Sequence, residues 1–308
     1  MQSRYRKVKH YLNLLKEQIV AERHPIEGLG YCPCEYKSGN TPPPLSDFRP
    51  FGKDERWGEE YDTHAWFHME LTPEKKEGYI TRLYFHTDKM GWDATNPQFI
   101  CYVNGKMRQG LDKNHTFIDI YEYEPLDIYL YAYVGMEAKC VTMVADIAYI
   151  NAEVEKLYYD IRVPFDSLSY LDESSKEYME ILHHLHRAVS IIDMMNIGSE
   201  SYLASVNDAI RYMDEEFYGK YCTPSSPKTV CIGHTHIDCA WRWTLRQTRE
   251  KVQRSFSTVL ELMRKYPEYK FMSSQALLYK YLKEEAPEVY EEVKERIKEG
   301  RWECEGGI

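Results

Sequence analysis

The chain has 308 residues, 43% hydrophobic and 29% charged, with a net charge of −10. Such values describe a globular protein with room for two domains. The acidic balance argues against a nonspecific nucleic-acid binder, which needs a basic face, and no apolar run approaches the roughly 18 residues of a membrane span.

Residues 5–21 carry Val8, Tyr11, Leu12, Leu15 and Ile19 at helical spacing, and residues 1–20 lack the apolar centre of a signal peptide. A helix ended by His24-Pro25 and Gly28 is expected. Residues 27–58, broken by Pro33, Gly39, Pro42-Pro43-Pro44 and Gly52, read as irregular connection. Residues 1–60 thus form an N-terminal helix and irregular segment. Residues 61–165 read as a β-sandwich of jelly-roll type, with strands expected near 65–71, 79–86, 99–103, 116–120, 126–134 and 141–149. Asn104-Gly105 marks a tight hairpin. Trp92, Tyr102 and Asn104 are weighed as a sugar-facing set, and a structural role is favoured. Residues 155–164 continue as strand or linker.

Residues 166–226 form a helical connection. Tyr178, Ile181, Leu182, Leu185, Val189 and Ile192 make an apolar stripe. His183 and His186 lie three apart on it, without an acidic partner, and read as solvated surface. A helix over 201–218 ends at Gly219, and Thr223-Pro224-Ser225-Ser226-Pro227 is the linker. From 227 the grammar becomes β/α. A buried strand at 229–232 precedes a helix over 248–266, a strand at 269–273, helices over 277–284 and 288–299, and a strand from Arg301. The fold class expected is multidomain, α+β and α/β: a sandwich, a helical connection, and the first β/α units of an incomplete barrel over 227–308. Cys101, Cys140 and Cys231 lie in apolar runs, as buried free thiols do, and the eight cysteines show no framework spacing. A reducing, cytoplasmic location is the simplest reading.

The stretch with the most chemistry is Gly233-His234-Thr235-His236-Ile237-Asp238-Cys239-Ala240-Trp241. His234, His236 and Asp238 are spaced by two, so an extended backbone sends all three to one face. Imidazole and carboxylate side by side at a strand end suit a divalent metal, zinc first among candidates. The competing reading is a buried strand end whose polar groups cap a neighbouring helix or bond to backbone.

That stretch, with Leu245-Arg246-Gln247-Thr248-Arg249-Glu250-Lys251, Tyr269-Lys270-Phe271-Met272-Ser273-Ser274-Gln275 and Gly300-Arg301-Trp302-Glu303-Cys304-Glu305-Gly306-Gly307, resembles the start of the catalytic domain of family-38 glycoside hydrolases, the α-mannosidases. The preceding residues resemble, more weakly, the N-terminal region of the cytosolic and bacterial branch. The resemblance implies a retaining hydrolase of terminal α-mannosides, with one zinc ion and a mannose-containing oligosaccharide as partner. His236 and Asp238 match zinc ligands, Trp241 matches the aromatic that packs on mannose, and His234 is expected to support the metal shell through a hydrogen bond. Cys239-Ala240 departs from the Pro-Gly of some branches. Both catalytic carboxyls are expected downstream of Ile308, so none is assigned within the chain, the zinc site is incomplete and this fragment is expected to be inactive. Glu303 and Glu305 are read as structural. A homo-oligomer is an open expectation for the full-length form. The alternatives are a non-catalytic carbohydrate-binding or adaptor protein, and another zinc hydrolase such as a sugar deacetylase.

Overall fold

The computed structural model describes residues 2–39, 41–87, 97–135, 140–222 and 229–305. Trp92, the linker at 223–227 and Gly306-Gly307 lie outside the described residues. The fold is mixed α and β. The elements run α1 (Gln2–Gln18), β1 (Val20–Pro25), β2 (Gly30–Cys34), β3 (Arg49–Pro50), β4 (His64–Leu71), β5 (Tyr79–His86), β6 (Gln98–Val103), β7 (Lys106–Leu111), β8 (Phe117–Ile120), β9 (Leu126–Tyr133) and β10 (Val144–Asn151). They continue with α2 (Ala152–Ser167), α3 (Lys176–Ile191), α4 (Glu200–Tyr212), β11 (Gly233–His234), α5 (Leu245–Lys265), β12 (Phe271–Met272), α6 (Ala276–Glu285), α7 (Pro287–Lys298) and β13 (Trp302–Glu303). Among the described residues, no helix is long and apolar enough to cross a membrane.

The chain divides into two compact units. One comprises residues 1–23, 75–81 and 148–229. Here α1 to α4 bury Val8, Leu12, Leu15, Leu157, Ile161, Leu185, Val189 and Val206 in one apolar core. Two expectations are corrected in this unit. The first helix stops at Gln18, because the Ile19 carbonyl accepts the Asn151 N–H at 2.8 Å and the backbone turns to strand pairing. Residues 155–164 are helical: the Asn151 side chain caps the Val154 N–H, and Val154, Leu157, Tyr158, Ile161 and Phe165 recur at helical spacing on the buried face. Gly219 lies inside a π-helical stretch, Met213–Tyr221, rather than ending the helix.

The other unit comprises residues 24–74, 82–147 and 230–308. Its main sheet has six strands in the order β3-β2-β4-β9-β6-β7, paired antiparallel. Residues 27–58 are therefore not wholly irregular. β2 pairs with β4, Tyr31 opposite Phe67, and tertiary pairing overrides the local turn signals. Successive side chains alternate between two cores. Phe67, Met69, Ile128 and Leu130 enter one with Leu83, Phe85, Ile118 and Ile120. Trp66, Tyr129, Tyr131 and Tyr133 enter the other with Val252, Phe256, Leu260, Phe271 and Trp302. Burial on both faces explains the nearly continuous apolar run of β9.

The second of these cores seats a parallel sheet, β11-β12-β13, with α5, α6 and α7. Residues 229–232, expected as a buried strand, form no ladder; Val230 and Ile232 are 75% and 53% exposed. Pairing starts only at Gly233, whose N–H reaches the Lys270 carbonyl at 2.8 Å. Cys101 is buried, whereas Cys140 and Cys231 are exposed. Their apolar neighbours in sequence do not cover them.

Trp302 is fully buried, its ring 5.0 Å from Phe256 and 4.6 Å from Phe271, and its Nε1 donates to the Tyr279 hydroxyl at 2.9 Å. Denaturant unfolding is expected to show that Trp302→Ala costs about 3–5 kcal/mol. Val230→Ala, on the exposed stretch, should change stability by less than about 0.5 kcal/mol.

Candidate metal and sugar site

The site segment leaves the parallel sheet at His234. Gly233 is required where it stands, since a Cβ there would lie 2.0 Å from the Tyr269 hydroxyl. Four residues on, Ile237 is 5% exposed and packs in the core beneath α5 and the six-stranded sheet. Alternation then turns its neighbours outward. His236 Nε2 lies 3.1 Å from Asp238 Oδ1, with the two side chains 71% and 41% exposed. His234 goes elsewhere, its Nδ1 3.0 Å from the Met272 carbonyl oxygen. The three spaced residues therefore form a converging pair plus one residue tied to the neighbouring strand.

The turn that follows is held by one hydroxyl. Thr248 Oγ1 accepts the Ala240 N–H and the Trp243 Nε1–H, each at 3.2 Å, and donates to the Thr244 carbonyl at 3.3 Å. Thr244 starts α5 with reciprocal bonds: its Oγ1 accepts the Gln247 N–H at 3.2 Å, and Gln247 Oε1 accepts the Thr244 N–H at 3.0 Å. Trp241 is 70% exposed and meets Trp243 edge to face, the ring centroids 5.9 Å apart. The Lys251 ammonium sits 4.4 Å over the Trp243 ring. Burial, then the Arg254 charge, lowers its pKa to about 8.

Behind the turn lies a buried polar chain. Tyr131 donates to Glu250 Oε1 at 2.8 Å, and His64 Nδ1 lies 2.6 Å from the Tyr131 hydroxyl. His64 Nε2 lies 3.3 Å from Asp62, which pairs with Arg246. Burial pushes Glu250 up to about 8 and His64 down to about 4, so both are mainly neutral at pH 7. The next buried carboxylate along, Glu285, is charge-paired with Arg249 at 2.7 Å and accepts the Ser38 hydroxyl and Gly39 N–H.

Residues 226–308 match the family model described as Glycosyl hydrolases family 38 N-terminal domain. This part of the chain is similar to the N-terminal domain of glycoside hydrolase family 38. Alpha-mannosidase G of Dictyostelium discoideum is 32% identical over 164 residues, covering 53% of this chain and 14% of that protein. Human Alpha-mannosidase 2C1 is 26% identical over 282 residues, covering 85% of this chain and 26% of that protein. The chain thus spans about a quarter or less of these relatives' length. Among solved structures, Bacteroides uniformis beta-glucuronidase 2, covalently bound to cyclophellitol-6-carboxylate aziridine, matches with a TM-score of 0.30 at 10% identity, over 41% of this chain and 18% of that one.

Within residues 226–308, the bonds of Thr248 to the turn, the bond of Glu250 to Tyr131 and the seat of Lys251 over Trp243 are not legible from periodicity. The stripe Val252, Phe256, Val259, Leu260 and Met263 predicts one inward face of α5. In the structure, polar Gln247, Thr248, Glu250, Gln253 and Ser257 are buried too. The signal available was a helix with uncharged polar residues where a solvated face would carry charges. Tyr102, weighed as a sugar platform, is 6% exposed and packs against Trp66 at 5.6 Å. Asn104 is a turn clamp, its Oδ1 accepting the Asp127 N–H at 2.8 Å.

Two predictions follow from the turn and its support. Ala240 has φ +61°, a left-handed backbone. Ala240→Gly removes a strain of about 1–2 kcal/mol against an added chain entropy of about 0.4–1 kcal/mol. Urea unfolding is therefore expected to show a gain of up to about 1.6 kcal/mol. For Glu250 the folded pKa exceeds the ordinary value of 4.5. Its favourable effect is complete below that value and is lost as pH rises toward 8. Glu250→Gln does not titrate, so its stability relative to wild type should rise by a few kcal/mol, at about 1.4 kcal/mol per pKa unit, between those pH values and then level off. Thermal melts across this range read the difference.

Proposed function

We propose that this chain carries the metal- and sugar-gripping part of a zinc-dependent, retaining α-mannosidase that acts on terminal α-mannosides of cytoplasmic glycans. The observation that carries the reading is the His236–Asp238 pair. One nitrogen and one oxygen donor stand 3.1 Å apart and open to solvent, about the separation of adjacent donors on an ion bound at roughly 2.0–2.2 Å. His236 and Asp238 would hold the zinc, and His234 would stiffen the segment through its bond to strand β12. When bound, zinc supplies Lewis acidity and a template for vicinal sugar hydroxyls. Trp241 offers an exposed apolar face on which a mannose ring can stack. The Thr248 bonds hold the turn that presents it.

The three parallel strands fit the opening of a β/α barrel, and the six-stranded antiparallel sheet fits one layer of a jelly-roll-like sandwich. Retention requires two carboxyl groups about 5–5.5 Å apart. The resemblance matches neither of them to a residue of this sequence, so the 308 residues by themselves are proposed to bind zinc weakly and to turn over no substrate.

The test is a kinetic panel on a longer protein that supplies those carboxyls. Aryl α-mannosides are expected to be cleaved, with kcat/KM falling at least about a hundredfold in His236→Ala and in Asp238→Ala. Near wild-type rates in either variant would remove the ligand assignment. Acetate release from N-acetylated sugars in place of mannoside cleavage would favour a deacetylase, and glycan binding without turnover a carbohydrate-binding protein.

A further inference from the structure

A second group of metal-type donors lies on the six-stranded sheet, away from the family-38 segment in sequence. His68 and Glu70 are two apart on β4, hence on one face. Asp127 on β9 is directly opposite Glu70 in the antiparallel register. One donor atom from each of the three falls within 4.8 Å of the others, the one such three-residue group among the described residues. His68 Nε2 lies 2.8 Å from Asp127 Oδ1.

Three further observations separate this group from a chance surface cluster. The two carboxylates form a directly opposed like-charge pair, which costs stability in a sheet. Neither is paired with Lys or Arg among the described residues. The donors are also held in place. The His68 ring packs 4.5 Å from Tyr129 and 5.5 Å from Phe48. Asp127 is clamped by Asn104, whose Oδ1 accepts the Asp127 N–H and whose own N–H donates to the Asp127 carbonyl, both at 2.8 Å. Finally, Glu70 and Asp127 border a cleft of about 530 Å³ shared with Leu71, Thr72, Pro125 and Leu126, which leaves room for water on the open side.

We propose that His68, Glu70 and Asp127 bind a divalent first-row transition-metal ion, of the zinc or manganese class, that staples β4 to β9. One imidazole and two carboxylates favour that class over Ca2+ and Mg2+, which prefer all-oxygen shells. The 2.8 Å separation suits neighbouring donors on such an ion, which stand about 3 Å apart when the bonds are about 2.1 Å. The ion neutralises the opposed carboxylates, and water completes its shell.

The test uses the 308-residue chain with His236→Ala and Asp238→Ala, so that the family-38 pair contributes no binding. Equilibrium dialysis against Zn2+ is expected to give one ion per chain. Adding Glu70→Gln or Asp127→Asn should weaken binding at least about tenfold, while metal-free melting temperatures fall no lower than the parent's and show that the variants fold. The wild-type chain gives a second reading without those variants: Mn2+ should broaden the amide resonances of His68, Glu70 and Asp127. Absence of a bound ion at millimolar Zn2+, equal affinity in parent and variants, or broadening that spares these three residues would overturn the site. His68 paired with Asp127 would then be a simple ion pair.

Discussion

The arrangement of the site depends on one buried aliphatic side chain. Ile237 is anchored in a core built from α5, strands of the parallel sheet and one face of the six-stranded sheet. Full burial of such a side chain stabilises by about 1.5–3 kcal/mol. The residues on either side of it must then point away from that core, which sets His236 and Asp238 next to each other in solvent. A polar pair on an unanchored loop would lose this juxtaposition to chain entropy. Here the hydrophobic contact holds a charged geometry.

That core in turn exists because the six-stranded sheet is apolar on both faces. Tyr129, Tyr131 and Tyr133 give one face of β9 to it, and Ile128, Leu130 and Ala132 give the other to the core that holds Leu83 and Phe85. The tyrosines contribute area and also polar ends that need partners. Tyr131 finds Glu250 and His64, and Tyr133 donates to Gln98 at 2.8 Å. A carboxyl with its pKa near 8 is tolerated at the root of α5 because it is mainly protonated at neutral pH and bonded to Tyr131, so no unpaired charge is buried. The same helix carries Thr248 two residues earlier, and this hydroxyl fastens the turn before Trp241. The Tyr131–Glu250 bond and the bonds that shape the turn thus meet within the first two turns of α5.

Much of this architecture was legible in the residues. Strands β4 to β10, the Asn104-Gly105 hairpin, and the helix and strand alternation after Gly233 follow from period and turn chemistry. The failures share a cause. β1 and β2 form because partners distant in sequence accept their backbone bonds, and local signals of Pro and Gly pointed the other way. Residues 229–232 have the composition of a buried strand but lack a covering layer, and composition does not record the neighbours. At the site, period-two spacing correctly put His236 beside Asp238. It could not show that His234 is drawn to the Met272 carbonyl, because that carbonyl comes from a strand 38 residues later.

The central claim is that the outward pair beside Ile237 is a cation grip. It is tested most directly by following histidine ring nitrogens in long-range 1H–15N spectra while zinc is added to the 308-residue chain. The account predicts that the His236 ring shifts on zinc addition, with Nε2 the nitrogen most affected, and that the ring of His234 moves less. A His236 ring that stays unchanged at zinc concentrations that fill the rest of the protein would contradict it.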